Sequence, residues 1–116
     1  KNIYTGTYIN SKKNYDKLII IIKKFLLKNK TNLEKIKQIY VNRGPGSYAG
    51  IRNSLSIVKA IHLSKKIDFY SYSYSDFNDE KKIDNKLNIL KDFRELPNLC
   101  NKFNVKKNLI KPIYLS

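Results

Sequence analysis

Cysteine and histidine occur once each in this chain of 116 residues, and tryptophan and methionine are absent. The single Cys100 cannot form an internal disulfide, and the single His62 leaves no Cys/His cluster that could bind zinc. We therefore expect no metal site and a reducing, cytoplasmic compartment. Because no Met stands at position 1, we also expect the natural chain to begin before Lys1.

Long apolar runs are also missing. The longest, Leu18–Ile22, is far shorter than the roughly 20 residues that a membrane span needs, and the first residues show no signal-peptide pattern. We expect a soluble protein without a membrane segment. The 41% of hydrophobic residues is enough for one small domain.

Arginine is scarce although the chain is strongly basic, with a net charge of +15. Only three of the 24 basic residues are arginines, and Arg is the usual residue for forked contacts with phosphate. The lysines are spread along the chain without a polybasic tract. The abundance of Lys, Asn, Ile and Tyr also fits A/T-rich codon usage. A basic RNA-binding function therefore remains an alternative that rests on charge alone.

The first third of the chain predicts a strand and two helices. Residues Asn2–Ile9 are rich in Ile, Tyr and Thr and predict an edge or bulged strand. Apolar residues at helical spacing predict a helix over Tyr15–Lys28. Thr31 and Glu34 have the spacing of a capping box, which predicts a short helix that ends near Lys37.

The best-defined unit is a βαβ motif. Ile39–Asn42 predicts a short buried strand, and a glycine-rich turn follows it. Ser47 is a suitable N-cap for a helix over Tyr48–Ser64, which has Ile51, Leu55, Val58 and either Ile61 or His62 on one face. Ile67–Tyr72 predicts a second strand, parallel to the first and joined to it by a right-handed crossover.

Signals are weaker after residue 74. Tyr and Ser alternate from Tyr70 to Ser75, which we interpret as a strand end and loop rather than a surface for stacking bases. The remaining predictions are a loop over Asp79–Lys86, a strand over Asn88–Phe93, a short helix over Leu96–Phe103 and a last strand over Ile113–Leu115.

The glycine turn does not match the known phosphate-binding motifs. Gly44, Gly46 and Gly50 are spaced G-x-G-x-x-x-G, one residue longer than the dinucleotide fingerprint. The lysine of a P-loop is missing, and Pro45 removes one of the amides that an anion nest would use. We therefore expect no nucleotide and no other cofactor.

Taken as a whole, the turn resembles a family motif. The segment Gly44-Pro45-Gly46-Ser47-Tyr48-Ala49-Gly50-Ile51-Arg52 is similar to the G-P-G-S-F-T-G-L-R pattern of the TsaB (YeaZ) family, and Lys111–Leu115 is similar to the Pro-x-Tyr-Leu near family C-termini. The resemblance implies an α/β fold: a truncated or minimal lobe of the actin and heat-shock-chaperone type, with a mixed sheet and packed helices. Residues 1–77 would form the N-terminal lobe of a Gcp-like domain, and residues 78–116 a remnant of the second lobe or a C-terminal extension.

The same resemblance implies a function without catalysis. Members of the family are dimerisation or scaffold subunits that support the catalytic subunit TsaD in the threonylcarbamoyladenosine modification of tRNA. The implied partners are a TsaD-like subunit, TsaE, or a second copy of the chain, with tRNA contacted only indirectly. The turn and helix start would be formed by Gly44, Pro45, Gly46 and Ser47. The partner interface would comprise Ile22, Phe25, Ala49, Gly50, Arg52, Asn53, Ser56 and Ala60.

Small residues in that set, such as Ala49 and Ser56, would let another helix approach closely, although they would equally suit packing on the chain's own sheet. A second alternative function is a glycoprotease-like metallopeptidase, which needs more metal-binding histidines than His62 alone. Ser47 is better explained as an N-cap than as a nucleophile. We therefore predict no catalytic residue.

Overall fold

The computed structural model describes Gly6, Tyr8 and residues 12–77, 83–84, 89–90 and 92–115. The helices are α1 (Lys12–Asp16), α2 (Leu18–Lys28), α3 (Tyr48–Lys65) and α4 (Leu96–Lys102). The strands are β1 (Gln38–Asn42), β2 (Gly46–Ser47), β3 (Asp68–Tyr72), β4 (Ile83–Asp84), β5 (Ile89–Leu90) and β6 (Tyr114–Leu115). Apart from Gly6 and Tyr8, the predicted strand Asn2–Ile9 lies outside the described residues.

The predicted βαβ unit is confirmed. Strands β1 and β3 pair in parallel, from Gln38 opposite Asp68 to Asn42 opposite Tyr72, and α3 connects them. Helix α3 begins where the hydroxyl of Ser47 accepts a hydrogen bond from the amide of Gly50 at 3.2 Å, as predicted for an N-cap. The right-handed sense of the crossover stays a prediction.

The two faces of this small sheet carry separate hydrophobic clusters, because successive residues of a strand point to opposite sides. Ile39 packs toward α2 and α3 with the cluster formed by Leu33, Ile61 and Ile67. The next residue, Tyr40, packs toward α4 on the other face. The result is a three-layer arrangement in which the β1–β3 pair lies between α2 and α3 on one side and α4 on the other.

Helix α4 contributes to the hydrophobic cluster that contains Tyr40. Leu99 and Cys100 of α4 are buried against Tyr72 and Phe77. Strand β6 pairs in parallel with β2. The predicted division of the chain into residues 1–77 and 78–116 stays a prediction, and it does not coincide with a gap in the packing of the described residues.

Two predictions about helices need correction. The helix predicted over Tyr15–Lys28 is interrupted at Lys17, which separates α1 from α2. The capping box at Thr31 and Glu34 is wrong, since the segment is a single 3₁₀ turn over Leu33–Lys35 that is preceded by Asn32 without a side-chain cap. Glu34 instead accepts a hydrogen bond from the Lys65 ammonium group at 2.8 Å, and Leu33 is buried, so tertiary contacts outweigh the local signal.

Two predictions beyond residue 78 also change. The segment predicted as a loop contains β4, which pairs antiparallel with β5. The strand predicted over Asn88–Phe93 is confirmed only at β5, because the carboxylate of Asp92 accepts a hydrogen bond from the amide of Arg94 and caps a 3₁₀ turn over Phe93–Glu95. The predicted helix over Leu96–Phe103 and the last strand are confirmed by α4 and β6.

The packing of α4 gives a test of whether the C-terminal residues stabilise the whole fold. Leu99→Ala removes a side chain that is 3% exposed, so the free energy of unfolding should fall by about 2–5 kcal/mol. Leu63→Ala on α3, where the leucine is 70% exposed, should change it by less than about 0.5 kcal/mol. Urea unfolding followed by circular dichroism measures both. Equal effects would contradict the packing described for α4.

Candidate functional site

The turn before α3 depends on one glycine. Gly44 is buried and has a φ of 115°, a conformation that residues with a side chain rarely adopt. A Cβ on Gly44 would also collide with the backbone carbonyl oxygen of Ile113. Gly46 has no such φ, and a Cβ there would meet only the side chain of Ile51, at 3.2 Å. The backbone of the turn therefore requires a glycine at Gly44 rather than at Gly46.

The backbone after the turn is already engaged. Gly46 and Ser47 form β2 and pair with Tyr114 and Leu115 of β6. Backbone groups that take part in a strand pair are not open to a phosphate, so the geometry agrees with the failed motif spacing. The predicted turn and helix start at Gly44, Pro45, Gly46 and Ser47 form one continuous segment, and β2 is the part of it that the sequence did not indicate.

Arg43 connects three parts of the chain at this turn. Its guanidinium donates hydrogen bonds to a carboxylate oxygen of Asp76 at 2.6 Å and to the carbonyl oxygen of Lys111 at 3.0 Å. Its backbone N–H donates to the carbonyl oxygen of Tyr72, and its own carbonyl oxygen accepts from the N–H of Ile113, both at 2.7 Å. Arg43 therefore fixes the end of β1 to the end of β3 and to the C-terminal residues.

Asp76 is held in place for this pairing by a capping box. Its second carboxylate oxygen accepts a hydrogen bond from the amide of Ser73 at 2.8 Å, while the hydroxyl of Ser73 accepts from the amide of Ser75. Ser73 is fully buried. The carboxylate is thus oriented before it meets Arg43, and the pair joins the glycine turn to the segment after β3.

An aromatic stack covers the start of α3. The rings of Tyr48 and Tyr114 lie parallel, with their centroids 4.8 Å apart, and the guanidinium of Arg52 lies 5.3 Å from the centroid of the Tyr48 ring. Both tyrosines remain exposed. This stack links α3 to β6 in addition to the backbone pairing of β2 with β6.

The predicted interface residues divide into two groups. Arg52, Ser56 and Ala60 are exposed and lie on one face of α3, since they are four residues apart. The other five are half-buried: Ala49, Gly50 and Asn53 on α3, and Ile22 and Phe25 on α2. Phe25 lies beside Gly6, where a Cβ would be 3.0 Å from its ring. The structure therefore presents three of the eight residues to a partner directly.

The residues that could have supported catalysis have structural partners. Nδ1 of His62 lies 3.0 Å from the carbonyl oxygen of Ile67, and the residue is half-buried. Burial raises the pKa of the Cys100 thiol to about 11, which keeps it protonated at neutral pH. Among the described residues, no group of three His, Cys, Asp or Glu side chains could hold a metal ion.

Sequence reasoning missed Arg43, Asp76 and the pairing of β2 with β6. Two weak signals pointed to the ion pair. Arg43 is one of only three arginines and directly precedes the turn, and Ser73 and Asp76 have the spacing of a capping box. No local pattern indicates that these two segments meet.

Together, these features define an α/β protein in which the glycine turn positions helix α3 with one face exposed. A family model described as "TsaD: tRNA N6-adenosine threonylcarbamoyltransferase" matches residues 8–73, more than half of the 116 residues. The chain belongs to this family, within which its predicted likeness to the TsaB (YeaZ) proteins is confirmed. The helices and the parallel β1–β3 pair confirm the predicted α/β class.

Two curated relatives share the name "tRNA threonylcarbamoyladenosine biosynthesis protein TsaB". The protein of Buchnera aphidicola subsp. Schizaphis graminum (strain Sg) is 33% identical over 73 residues, which are 63% of this chain and 35% of the relative. The protein of Buchnera aphidicola subsp. Acyrthosiphon pisum (strain APS) is 31% identical over 77 residues, with 61% and 35% covered. The match thus spans about a third of the length of these relatives.

Among solved structures, the chain is similar to YeaZ from Pseudomonas aeruginosa. The sequence identity is 20% and the TM-score is 0.48. The match covers 51% of this chain and 28% of the other.

The glycine turn gives a second test of stability. Gly44→Ala introduces both a strained φ and a collision with Ile113, so the free energy of unfolding should fall by about 2 kcal/mol or more. Gly46→Ala, which needs only a small movement of Ile51, should cost less than about 1 kcal/mol. Thermal and urea unfolding measure both variants. A larger loss for Gly46→Ala would show that the constraint is misplaced.

A double-mutant cycle tests the ion pair. Arg43→Gln and Asp76→Asn should show a coupling energy of about 1 kcal/mol or more, because the two side chains are only 17% and 26% exposed and each makes a further hydrogen bond, to Lys111 and Ser73 respectively. The matched control is the more exposed pair Lys65–Glu34, at 45% and 64%. Its coupling should be clearly smaller, and the reverse order would contradict the central role of Arg43.

Proposed function

We propose that the chain is a non-catalytic dimerisation or scaffold subunit that supports a TsaD-like catalytic subunit in the threonylcarbamoyladenosine modification of tRNA. The proposal takes its pathway from the printed names of the curated relatives. The matched region is about a third of the length of these relatives, so support for the role comes from the surface of this chain. The observation that carries it is the exposed face of α3.

That face has large apolar or aromatic residues at both ends, and between them the small residues Ser56 and Ala60 lie beside the basic Arg52 and Lys59. Tyr48 and Leu63 are exposed apolar or aromatic side chains, at 52% and 70%. Between them lie Arg52, Ser56 and Ala60, each exposed and four residues apart. Small side chains let a second helix approach closely, while the larger ends supply apolar and cation–π contacts. The face is therefore suited to binding a partner helix.

The inner side of α3 fixes this face in one orientation. Leu55, Val58 and Ile61 are buried against the sheet and the neighbouring helices. The first turn is held by the Ser47 cap and by the Tyr114 stack. A helix that is anchored along its length loses little conformational entropy on binding, which favours a stable complex.

The absence of catalysis belongs to the same proposal. Its support is that His62 is bound to a backbone carbonyl and that the Ser47 hydroxyl serves as an N-cap, so neither is arranged as base or nucleophile. A glycoprotease-like metallopeptidase has no comparable support, since the described residues contain no group of metal ligands.

The proposal also covers the partners of the chain and the compartment in which it acts. We propose a TsaD-like subunit as the main partner, with a second copy of the chain or TsaE as alternatives, and with tRNA contacted through the complex. No helix in the described part of the chain is both long and apolar enough to cross a membrane. The single, buried Cys100 fits a reducing cytoplasm as the site of action.

Co-expression with a TsaD-like subunit tests the interface. Ala60→Arg places a long, charged side chain within the exposed face and should abolish co-elution in size-exclusion chromatography. Asn98→Arg is the matched control, since Asn98 is exposed on α4 in the opposite layer. It should leave the complex intact.

Two outcomes would contradict the proposal. If the Ala60→Arg chain still co-elutes at wild-type yield, α3 is not the interface. If Asn98→Arg disrupts the complex as strongly, any added charge weakens binding and the face has no special role. Light scattering of the chain alone separates a homodimer, which Ala60→Arg should convert to a monomer, from a chain that pairs only with the catalytic subunit.

A further inference from the structure

A cavity of about 600 Å³ lies on the sheet face opposite α3. Its floor is formed by Tyr40 of β1 and Tyr70 of β3, which face each other across the strand pair. One wall is formed by α4, including Asn101, and the other by Asn104 and the residues that follow it. Neither the proposed scaffold role nor the glycine turn uses this cavity.

The floor is aromatic and uncharged. The rings of Tyr40 and Tyr70 are stacked, with their centroids 5.1 Å apart and their planes 12° from parallel. The Tyr40 hydroxyl donates a hydrogen bond to the side-chain oxygen of Gln38 at 3.0 Å. Burial raises the pKa of Tyr40, and Cys100 behind it is also protonated at neutral pH. The cavity is therefore lined by a pair of stacked aromatic rings, with the amide groups of Gln38, Asn101 and Asn104 around them.

The rim is positively charged. Lys106 and Lys107 line the cavity, and none of its lining residues in the described part of the chain is a carboxylate. The ammonium group of Lys107 lies 3.7 Å from a carboxylate oxygen of Asp68. Lys106 is also exposed. A second cavity of about 260 Å³ adjoins the first across Asn104–Lys106 and adds Arg43 and Lys111. Its one carboxylate, Asp76, is paired with Arg43.

The alternation of Tyr and Ser from Tyr70 predicted only a strand end and loop, but the structure places Tyr70 beside Tyr40 of the neighbouring strand. We propose that this face binds a short single-stranded nucleic-acid segment, with a base against the Tyr40–Tyr70 pair and the adjacent phosphates along Lys106 and Lys111. Single-strand binding sites combine aromatic rings for stacking with a basic groove for the backbone, and both occur here in adjoining cavities. The amides around the rings can form hydrogen bonds with base edges. An acidic peptide would be served by the lysines but would not need the rings.

The inference does not rest on the proposed scaffold role. The nucleic-acid face lies beside α4, and the proposed partner face lies on α3, on the other side of the sheet. The two faces lie on opposite sides of the sheet, so a bound strand need not displace the partner. Loss of partner binding in Ala60→Arg should leave nucleic-acid binding unchanged, and the two proposals can fail independently.

Fluorescence anisotropy with a labelled oligouridine of about ten nucleotides tests the stacking site. Tyr70→Leu should weaken binding by about tenfold, because it removes one ring while retaining apolar packing. Tyr70→Phe keeps the ring and should bind within about twofold of the parent. Tyr48→Leu is the matched control, since it removes an exposed, stacked tyrosine at the start of α3, and it should have no effect.

Two single variants at exposed lysines test the proposed contact with the nucleic-acid phosphates without disturbing the core. Lys106→Gln should reduce the slope of log affinity against log salt concentration by about 1. Lys59→Gln, on exposed α3, should leave that slope unchanged. Because Lys106 is exposed, this arm remains informative even if Tyr70→Leu does not fold, which circular dichroism would show.

Three results would overturn the inference. They are equal losses for Tyr70→Leu and Tyr48→Leu, equal changes in salt slope for Lys106→Gln and Lys59→Gln, and displacement of oligouridine by oligoglutamate at the same concentration as by unlabelled oligouridine. Each would mean that binding follows diffuse charge rather than this face. An oligothymidine arm identifies the source of the strand: tighter binding of oligouridine assigns the face to RNA, and equal binding supports single strands of either kind.

Discussion

The ion pair between Arg43 and Asp76 is the contact on which the rest of the structure depends. A sheet of two parallel strands is small and gains little stability by itself. The ends of β1 and β3 must therefore be held together if the glycine turn after β1 is to adopt one conformation. Arg43 does this with its side chain and its backbone, since it bonds to Asp76, Tyr72, Lys111 and Ile113. The guanidinium is partly buried and planar, so it can serve two acceptors at once where a lysine would serve them less specifically.

This constraint separates the two surfaces of the molecule. With the ends of β1 and β3 fixed, α3 covers one face of the sheet and α4 covers the other. The α3 side carries small and apolar side chains that suit a helix, together with Arg52 and Lys59. The α4 side carries a pair of stacked rings beside lysines, which suits an anionic strand. A thin sheet thus lets a short chain present two chemically different surfaces.

The sequence predicted features that depend on neighbouring residues, and it did not predict those that depend on residues far apart in the chain. The βαβ unit was predictable because the Ser47 cap and the apolar period of α3 are local. The capping box at Thr31 failed because Glu34 found a partner in Lys65, thirty-one positions away. The pairing of β2 with β6 left no local trace, and neither did the collision that makes Gly44 indispensable. For the candidate interface, the family motif indicated the helix, but only the structure distinguished exposed Ser56 and Ala60 from half-buried Ala49 and Gly50.

The parallel pairing of β2 with β6 also bears on the order in which the molecule can form during synthesis. The signals for α3 are complete once its own residues have been made, but the backbone that precedes it is held by Ile113 and Tyr114, which are made much later. Until then the segment before α3 would lack these contacts, because the long loop cannot close before residues 113–115 have been made. A ribosome-bound chain would therefore be able to form α3 with its Ser47 cap, while the backbone before the helix would be fixed only after residues 113–115 have been made.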